Sequence, residues 1–372
     1  MAGRGLRTGF STGSAATAAA VAALDFLLAG RASEKVRIEL PLGGDLTVTV
    51  NRVRSESDRE AVAVVVKDAG DDPDVTNRAE IQARVTLMPD GPDLETIVIQ
   101  GGAGVGRVTR PGLAVPPGEA AINPTPRQMI AENLRRIWRD GRPNGGPLRV
   151  EVEISVPQGE KLARRTLNAR LGIVGGISIL GTTGLVKPFS HEAYTATIEA
   201  GLDVARAGGL DEVVLTTGGK SEKAAMRIRP HLPELGFVQI ADYFGFALRE
   251  TAARRFGKVG LVSFFGKAVK QAQGLEYTHA HKAPLDLSRL SGWLDEAGAG
   301  PALVEEVASA NTARQALDIL RGSGALVLVR VVGRRMLDSC RGFAGPGPEI
   351  WVKIMDYDMT VIYEGPEEKE QV

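Results

Sequence analysis

Within residues 213–275 an apolar, β-branched run passes three times through a short glycine-containing loop into a helix-forming stretch. Residues 213–217 lead into Gly218-Gly219-Lys220-Ser221, 237–241 into Asp242-Tyr243-Phe244-Gly245, and 259–263 into Phe264-Phe265-Gly266-Lys267. This alternation predicts a parallel sheet, because neighbouring parallel strands need a crossover, and a helix usually supplies it. Open parallel sheets bind ligands beyond the carboxyl ends of their strands, so the three loops are where this half should do chemistry. A helix over 301–321 and a strand over 325–332 are expected to extend the pattern, with late strands at 350–355 and 360–363.

The first 165 residues have another rhythm. An alanine-rich helix over 15–28 has cap hydroxyls in Ser11, Thr12 and Ser14 and a stop at Gly30. Strands are expected at 36–40, 46–53, 61–67, 81–88, 96–100 and 148–156. One further helix opens at Pro126 behind a Thr125 cap and runs through Ile137. Residues 142–147 form a turn-rich break before the last strand. The reading is an α+β N-terminal domain over 1–165, then an α/β Rossmann-like domain with a mainly parallel sheet over 166–345. Residues 346–372 supply C-terminal strands and a frayed tail.

Composition removes several function classes. Forty-five basic residues balance forty-five acidic ones, so the chain lacks the positive field that holds nucleic acid. Cys340 stands alone, which excludes an intrachain disulfide and a cysteine-built zinc site. Arg4 and Arg7 before the alanine run imitate a signal peptide. That run contains Thr17 and Asp25, and no stretch approaches the ~18–20 strongly apolar residues of a membrane span. A cytoplasmic protein off the membrane is expected, with homo-oligomerisation left open.

Several strings could carry chemistry. Gly102-Ala-Gly104-Val-Gly106 reads equally as a tight turn or as a wall for a flat ligand. Pro111, Pro116 and Pro117 follow too closely for a dinucleotide-binding helix. Asn123-Pro-Thr-Pro126-Arg127 rigidifies a helix N-terminus beside an arginine, a setting for a carboxylate or for a solvated cap. Gly181-Thr182-Thr183-Gly184, followed by Lys187, exposes hydroxyls and amides together, as does Thr217-Gly218-Gly219; both also read as tight turns. Their spacing is not that of a phosphate-binding P-loop. Asp242, directly after a strand, suits either a ribose hydroxyl or a helix N-cap. His279 and His281 lack a third metal ligand, and no residue stands out as catalytic.

Together these strings resemble the CbiD family, S-adenosylmethionine-dependent C1-methyltransferases of anaerobic cobalamin biosynthesis. The likeness runs through residues 6–13, Asp74-Val-Thr76, 104–112, 122–127, 176–188, Gly266-Lys267 and Thr278-His279. It implies methylation of C1 of cobalt-precorrin-5B to give cobalt-precorrin-6A, with S-adenosylmethionine as cosubstrate. The cobalt then belongs to the tetrapyrrole substrate, and the protein needs no metal of its own. Thr12, Gly13, Gly104, Arg110, Asn123, Arg127, Lys187 and His279 are the expected substrate contacts. Gly181, Thr182, Thr183, Gly184, Thr217, Gly218, Gly219 and Asp242 are the expected cofactor contacts. The chain departs from the family at Ala15 (usually Cys), Arg78 (usually Gly), Asp242 (usually Asn) and Ser263-Phe264 (usually Gly-His). Two other classes stay open: a phosphoryl-transfer enzyme using the glycine loops, and a corrinoid carrier without turnover.

Overall fold

The computed structural model describes residues 5–89, 91, 94–143, 146–280, 282 and 284–367. The chain forms two compact units, Met1–His191 and Glu192–Val372. The division therefore falls later than the 165/166 boundary read from sequence, because residues 166–190 hydrogen-bond throughout to the first unit.

The first unit opens with β1 (Gly9–Phe10) and helix α1 (Thr12–Ala29). The Ser11 hydroxyl accepts the Ser14 amide, and Gly30 ends the helix in the left-handed region at φ 68°, as the sequence predicts. Residues Ala15 to Leu24 are all buried, so α1 is a core helix although its length and apolarity would also suit a membrane span. Strands β2 (Lys35–Glu39) and β3 (Asp45–Thr49) make a hairpin. Strands β4 (Arg52–Ser57), β5 (Glu60–Val66), β6 (Glu80–Leu87) and β7 (Thr96–Gly101) follow, then the short β8 (Arg107–Val108), helix α2 (Pro124–Gly141) and β9 (Arg149–Ser155). The single strand expected over 46–53 is thus two, separated at Val50-Asn51, whose amides bond to the Glu34 and Val64 carbonyls. The sheet order is β4-β5-β6-β9-β7, antiparallel except for β7 with β9. Ile81, Ala83 and Val85 alternate inward along β6 and share one core with α1 and α2. Helix α3 (Gly159–Ala163), β10 (Ile173–Val174) and β11 (Leu185–Val186) complete the unit; β10 pairs with β8, and β11 with β1.

The second unit alternates as expected: α4 (His191–Ala207), β12 (Glu212–Thr216), α5 (Gly219–Ile228), β13 (Phe237–Gln239), α6 (Phe244–Ala253), β14 (Lys258–Phe264) and α7 (Phe265–Ala272). Helices α8 (Leu287–Glu296), α9 (Pro301–Ala308), α10 (Ala313–Gly322) and α11 (Val329–Ala344) precede β15 (Glu349–Met355) and β16 (Val361–Gly365). The expected 301–321 helix is two helices. The strand expected over 325–332 is instead a helical turn leading into α11, whose Val329, Val332, Met336 and Cys340 are buried at helical spacing. The residues from 346 onward are not a separate piece. β15 lies inside one sheet of order β13-β12-β14-β15-β16, parallel except for the edge strand β16. The residues from 368 onward, the end of the expected frayed tail, lie outside the described residues, as do Asn144 and Gly145 of the expected turn and Arg4.

Candidate functional site

The first unit gathers the Thr12, Gly13 and Gly181–Gly184 strings around the N-terminus of α1. The Ser11 amide donates to the Gly184 carbonyl at 2.9 Å, the Gly13 amide to the Leu180 carbonyl at 3.0 Å, and the Ser14 hydroxyl to the Gly184 carbonyl at 2.6 Å. The Thr12 hydroxyl accepts the Leu180 amide at 2.9 Å and faces the Ser178 and Leu180 carbonyls at 3.2 Å. Gly181 sits at φ 137°, where a Cβ would stand 2.3 Å from Ser11 Oγ. Thr183 closes a local turn with Leu185, and Thr182 and Lys187 are exposed. The carbonyls of Leu180 and Gly184, with the Leu180 amide, thus anchor the loop to α1. The expected cofactor set is divided: Gly181–Gly184 belong to the first unit, Thr217–Gly219 and Asp242 to the second.

The glycines near 104 face protein. Gly104 adopts φ 73°, and a Cβ there would lie 1.9 Å from the Val156 carbonyl oxygen. Its own carbonyl accepts the Ile177 amide at 3.0 Å. Close backbone packing accounts for this glycine, in line with the tight-turn reading. Helix α2 starts two residues earlier than predicted, with Asn123 rather than Thr125 as its cap and without a side-chain cap bond. Prolines at 124 and 126 carry no amide hydrogen, so this terminus offers fewer donors than an ordinary one. Arg127 donates through Nε to the Ile122 carbonyl at 3.0 Å and through a terminal nitrogen to Ile99 at 2.8 Å, and lies 3.7 Å from Glu119. Its fork ties α2 to β7. Arg110 is exposed and reaches the Arg170 carbonyl at 3.3 Å.

Asp74-Val-Thr76 surrounds an ion pair. Lys67, 1% exposed, places Nζ 2.5 Å from Asp74 Oδ2, while Asp74 Oδ1 accepts the Thr76 amide and hydroxyl at 2.7 and 2.6 Å. Burial alone would raise the Asp74 carboxyl; Lys67 and the Thr76 donors outweigh it and hold the pKa below the ordinary carboxylate value. Arg78 stands at φ 64°, which explains a glycine as the usual residue there. Ala15 is fully buried, so this position faces no solvent.

In the second unit, β12 leads through α5 to β13 on one side, and the chain then returns past β12 to β14 on the other. The crevice at the carboxyl ends lies where the connections diverge. Three helices begin at this edge. A Cβ on Gly266 of α7 would stand 3.0 Å from the Tyr357 hydroxyl, and the Gly245 amide of α6 bonds to the Glu276 carbonyl at 2.9 Å. At α5 the Ser221 hydroxyl accepts the Gly218 amide at 3.1 Å, and a Cβ on Gly218 or Gly219 would meet nothing within 4 Å. The Thr217 and Ser221 hydroxyls lie 3.3 Å apart there. Of the three junctions, this one borders open space.

Asp242 is not an N-cap: Tyr243 takes that place, with no side-chain cap bond. The Asp242 Oδ1 lies 3.1 Å from Lys267 Nζ and accepts the Thr278 hydroxyl at 3.0 Å. Both of these contacts are on Oδ1. Ala241, at φ 44°, turns its carbonyl to Lys267 Nζ at 2.8 Å, and Lys270 Nζ donates to the Thr278 carbonyl at 3.1 Å. Burial, aided by Lys267, depresses the Lys270 ammonium, with Asp242 opposing. Tyr194 stacks on Tyr243 with ring centres 5.0 Å apart. Tyr243 meets Tyr277 edge-on at 5.1 Å, and Tyr277 stacks on His279 at 5.9 Å. Burial, with neighbouring Tyr277, Tyr194 and Asp242, pushes Tyr243 up to about 12. His281 lies outside the described residues. Among the described residues no group of three or more His, Cys, Asp or Glu is placed to hold a metal. Cys340 is buried in α11, which pushes its thiol up and away from reactivity. Phe264 stacks on Tyr357 at 6.1 Å.

Sequence reading had not singled out Lys270, Tyr194, Tyr243 or Tyr277. Lys270 lies one helical turn after Lys267, a detectable signal; Tyr194 comes from α4, and nothing local ties it to Asp242.

A family model described as CbiD matches residues 1–188, and one described as CbiD, C-terminal domain, matches 277–366. Similar curated proteins include cobalt-precorrin-5B C(1)-methyltransferase from Nitratidesulfovibrio vulgaris, 47% identical over 95% of this chain and 92% of that one. The protein of the same name from Priestia megaterium is 47% identical over 86% and 85%. Among solved structures, a cobalamin biosynthesis protein (CbiD) from Archaeoglobus fulgidus is 32% identical, covering 70% of this chain and 78% of that one, with a TM-score of 0.39.

Proposed function

The chain belongs to the CbiD family, and from that premise we propose that it is a cobalt-precorrin-5B C1-methyltransferase of cobalamin biosynthesis. It transfers the methyl group of S-adenosylmethionine to C1 of the tetrapyrrole, giving cobalt-precorrin-6A. The observation that carries this is near-full-length identity of about 47% to curated enzymes of that activity.

The chemistry asks for alignment above all. A ring carbon supplies the electron pair for the new C–C bond, the S–CH3 bond breaks, and S-adenosylhomocysteine leaves uncharged. Holding donor and acceptor in line is worth up to about 7–11 kcal/mol, so no acid–base dyad is required for the transfer. We read the second unit as Rossmann-like, which its strand order and its crevice support. Thr217, Gly218 and Gly219 would receive S-adenosylmethionine at the open end of α5. Asp242 Oδ2 would accept a ribose hydroxyl. Lys267 and Thr278 both hold the other oxygen, Oδ1, and Tyr277 with His279 offers ring faces beside it. The Gly181–Gly184 loop would then face the macrocycle rather than the cosubstrate, with Lys187 and Arg110 free to meet its carboxylates. A cytoplasmic location fits this reading.

The test joins turnover to binding. Incubation with S-adenosylmethionine and cobalt-precorrin-5B should yield a singly methylated product by mass spectrometry. Titration calorimetry should show S-adenosylhomocysteine binding and no response to Mg·ATP. Asp242→Ala should weaken S-adenosylhomocysteine about tenfold or more, the loss of hydrogen bonds to a charged acceptor. Unchanged affinity removes the ribose role. Mg·ATP binding alone points to phosphoryl transfer, and macrocycle binding without methylation to a carrier.

A further inference from the structure

We infer that the two segments joined by the β8–β10 pairing form the docking surface for the carboxylate-bearing rim of the macrocycle; this rests on the methyltransferase reading above. Residues 103–119 and 157–176 carry six cations, Arg107, Arg110, Lys161, Arg164, Arg165 and Arg170, against two carboxylates, Glu160 and Glu119, the latter 3.7 Å from Arg127. The overall net charge is zero, so this concentration of one sign is local. The fold builds it. Val108 pairs with Ile173 and Arg107 with Val174. The Thr109 amide and hydroxyl both reach the Gly172 carbonyl at 2.7 Å. Gly172, at φ 75°, leaves room for the Arg110 stem, whose Cγ would lie 2.6 Å from a Cβ there.

Val108 and Ile173 turn inward to a small apolar cluster, which leaves Arg107 and Val174 side by side on the outer face. Glu160 lies 3.7 Å from Arg164. Arg107, Arg110 and Arg165 are exposed and make no ion pair among the described residues. Val174 is 49% and Leu167 37% exposed in the same segments. Unneutralised guanidinium groups interleaved with exposed aliphatic side chains suit a ligand with an apolar body and an anionic rim. A polycarboxylated tetrapyrrole has that form. A nucleic acid would instead seek aromatic stacking surfaces, and residues 103–119 and 157–176 contain no Phe, Tyr or Trp.

The experiment compares a cobalt corrinoid bearing free acetate and propionate groups with the same corrinoid amidated, titrated into wild type and R107S/R165S. Wild type should prefer the free acid, with affinity falling as salt rises. The variant should lose about tenfold or more for the free acid, as charge-assisted hydrogen bonds imply. Its affinity for the amidated corrinoid and for S-adenosylhomocysteine should stay unchanged, which also certifies its fold. Equal loss for both corrinoids, or no loss for either, overturns the inference. So does a polyanion such as heparin binding wild type without being displaced by the free acid. Wild type that methylates while R107S/R165S keeps its KM for the tetrapyrrole ends this inference alone. Wild type that neither binds S-adenosylhomocysteine nor methylates ends the functional reading itself.

Discussion

Lys67 is one of the largest fully buried side chains in the protein, and its charge is tolerated only because Asp74 stands 2.5 Å away. Taking one member from a buried pair leaves an uncompensated charge at a cost of about 3–5 kcal/mol, and Asp74's partial exposure puts this pair near the lower figure. Asp74→Asn should therefore lower urea stability at neutral pH by about 3 kcal/mol, and adding Lys67→Met should restore part of the loss. The sign of the pH dependence follows from the depressed carboxyl. The pair's contribution is complete above the ordinary aspartate pKa and disappears as pH falls through the lower folded value. Wild type should thus lose stability on acidification below about pH 4, with a shallower slope in Asp74→Asn. Two proteins with the same neutral stability and the same acid slope would show that the pair contributes nothing.

At the scale of elements, the α1 terminus and the 178–184 loop form a unit held by Thr12, Ser14 and Gly181. Ala at 181 would meet both an unfavourable φ and Ser11 Oγ. Gly181→Ala should cost about 2–4 kcal/mol, the sum of backbone strain and overpacking. Thr182→Ala, at an exposed site, should cost little. A thermal melt of Gly181→Ala matching wild type would mean the loop is not clamped. Helix α1 was legible because its cap hydroxyl and its stopping glycine are local signals, and the three βα units were legible for the same reason. The start of α2 was missed because Asn123 and Thr125 are both competent caps, and the backbone bond from the Asn123 amide to Ile179, remote in sequence, accompanies the earlier choice. The valines of 327–332 favour a strand by propensity; the burial of Val329 and Val332 with Met336 and Cys340 on one helical face overrides it. In the site, Asp242 was found by its place after a strand. Lys267 and Thr278 as its partners depend on side chains meeting across the sheet edge, which local sequence does not encode.

At the scale of the whole chain, the division at His191 sorts the expected cofactor residues into two sets that a single experiment can separate. Ligand bound only by the folded protein raises stability by RT ln(1 + [L]/Kd), about 2.7 kcal/mol at a hundredfold excess over Kd, and slows exchange first in the elements it touches. Hydrogen exchange read by mass spectrometry, with and without saturating S-adenosylhomocysteine, should show protection in 216–222, 241–245, 265–270 and 275–279, the segments around Asp242 and the open end of α5. Peptides covering 178–186 should exchange unchanged, since this loop belongs to the first unit and the cosubstrate is placed at the second. Protection confined to 178–186 would move the cosubstrate into the first unit and leave the parallel sheet without the role its carboxyl edge supports. Asp242→Ala supplies the internal control: protection of the second unit should fade in that variant at equal ligand concentration, because its affinity, not its fold, has changed.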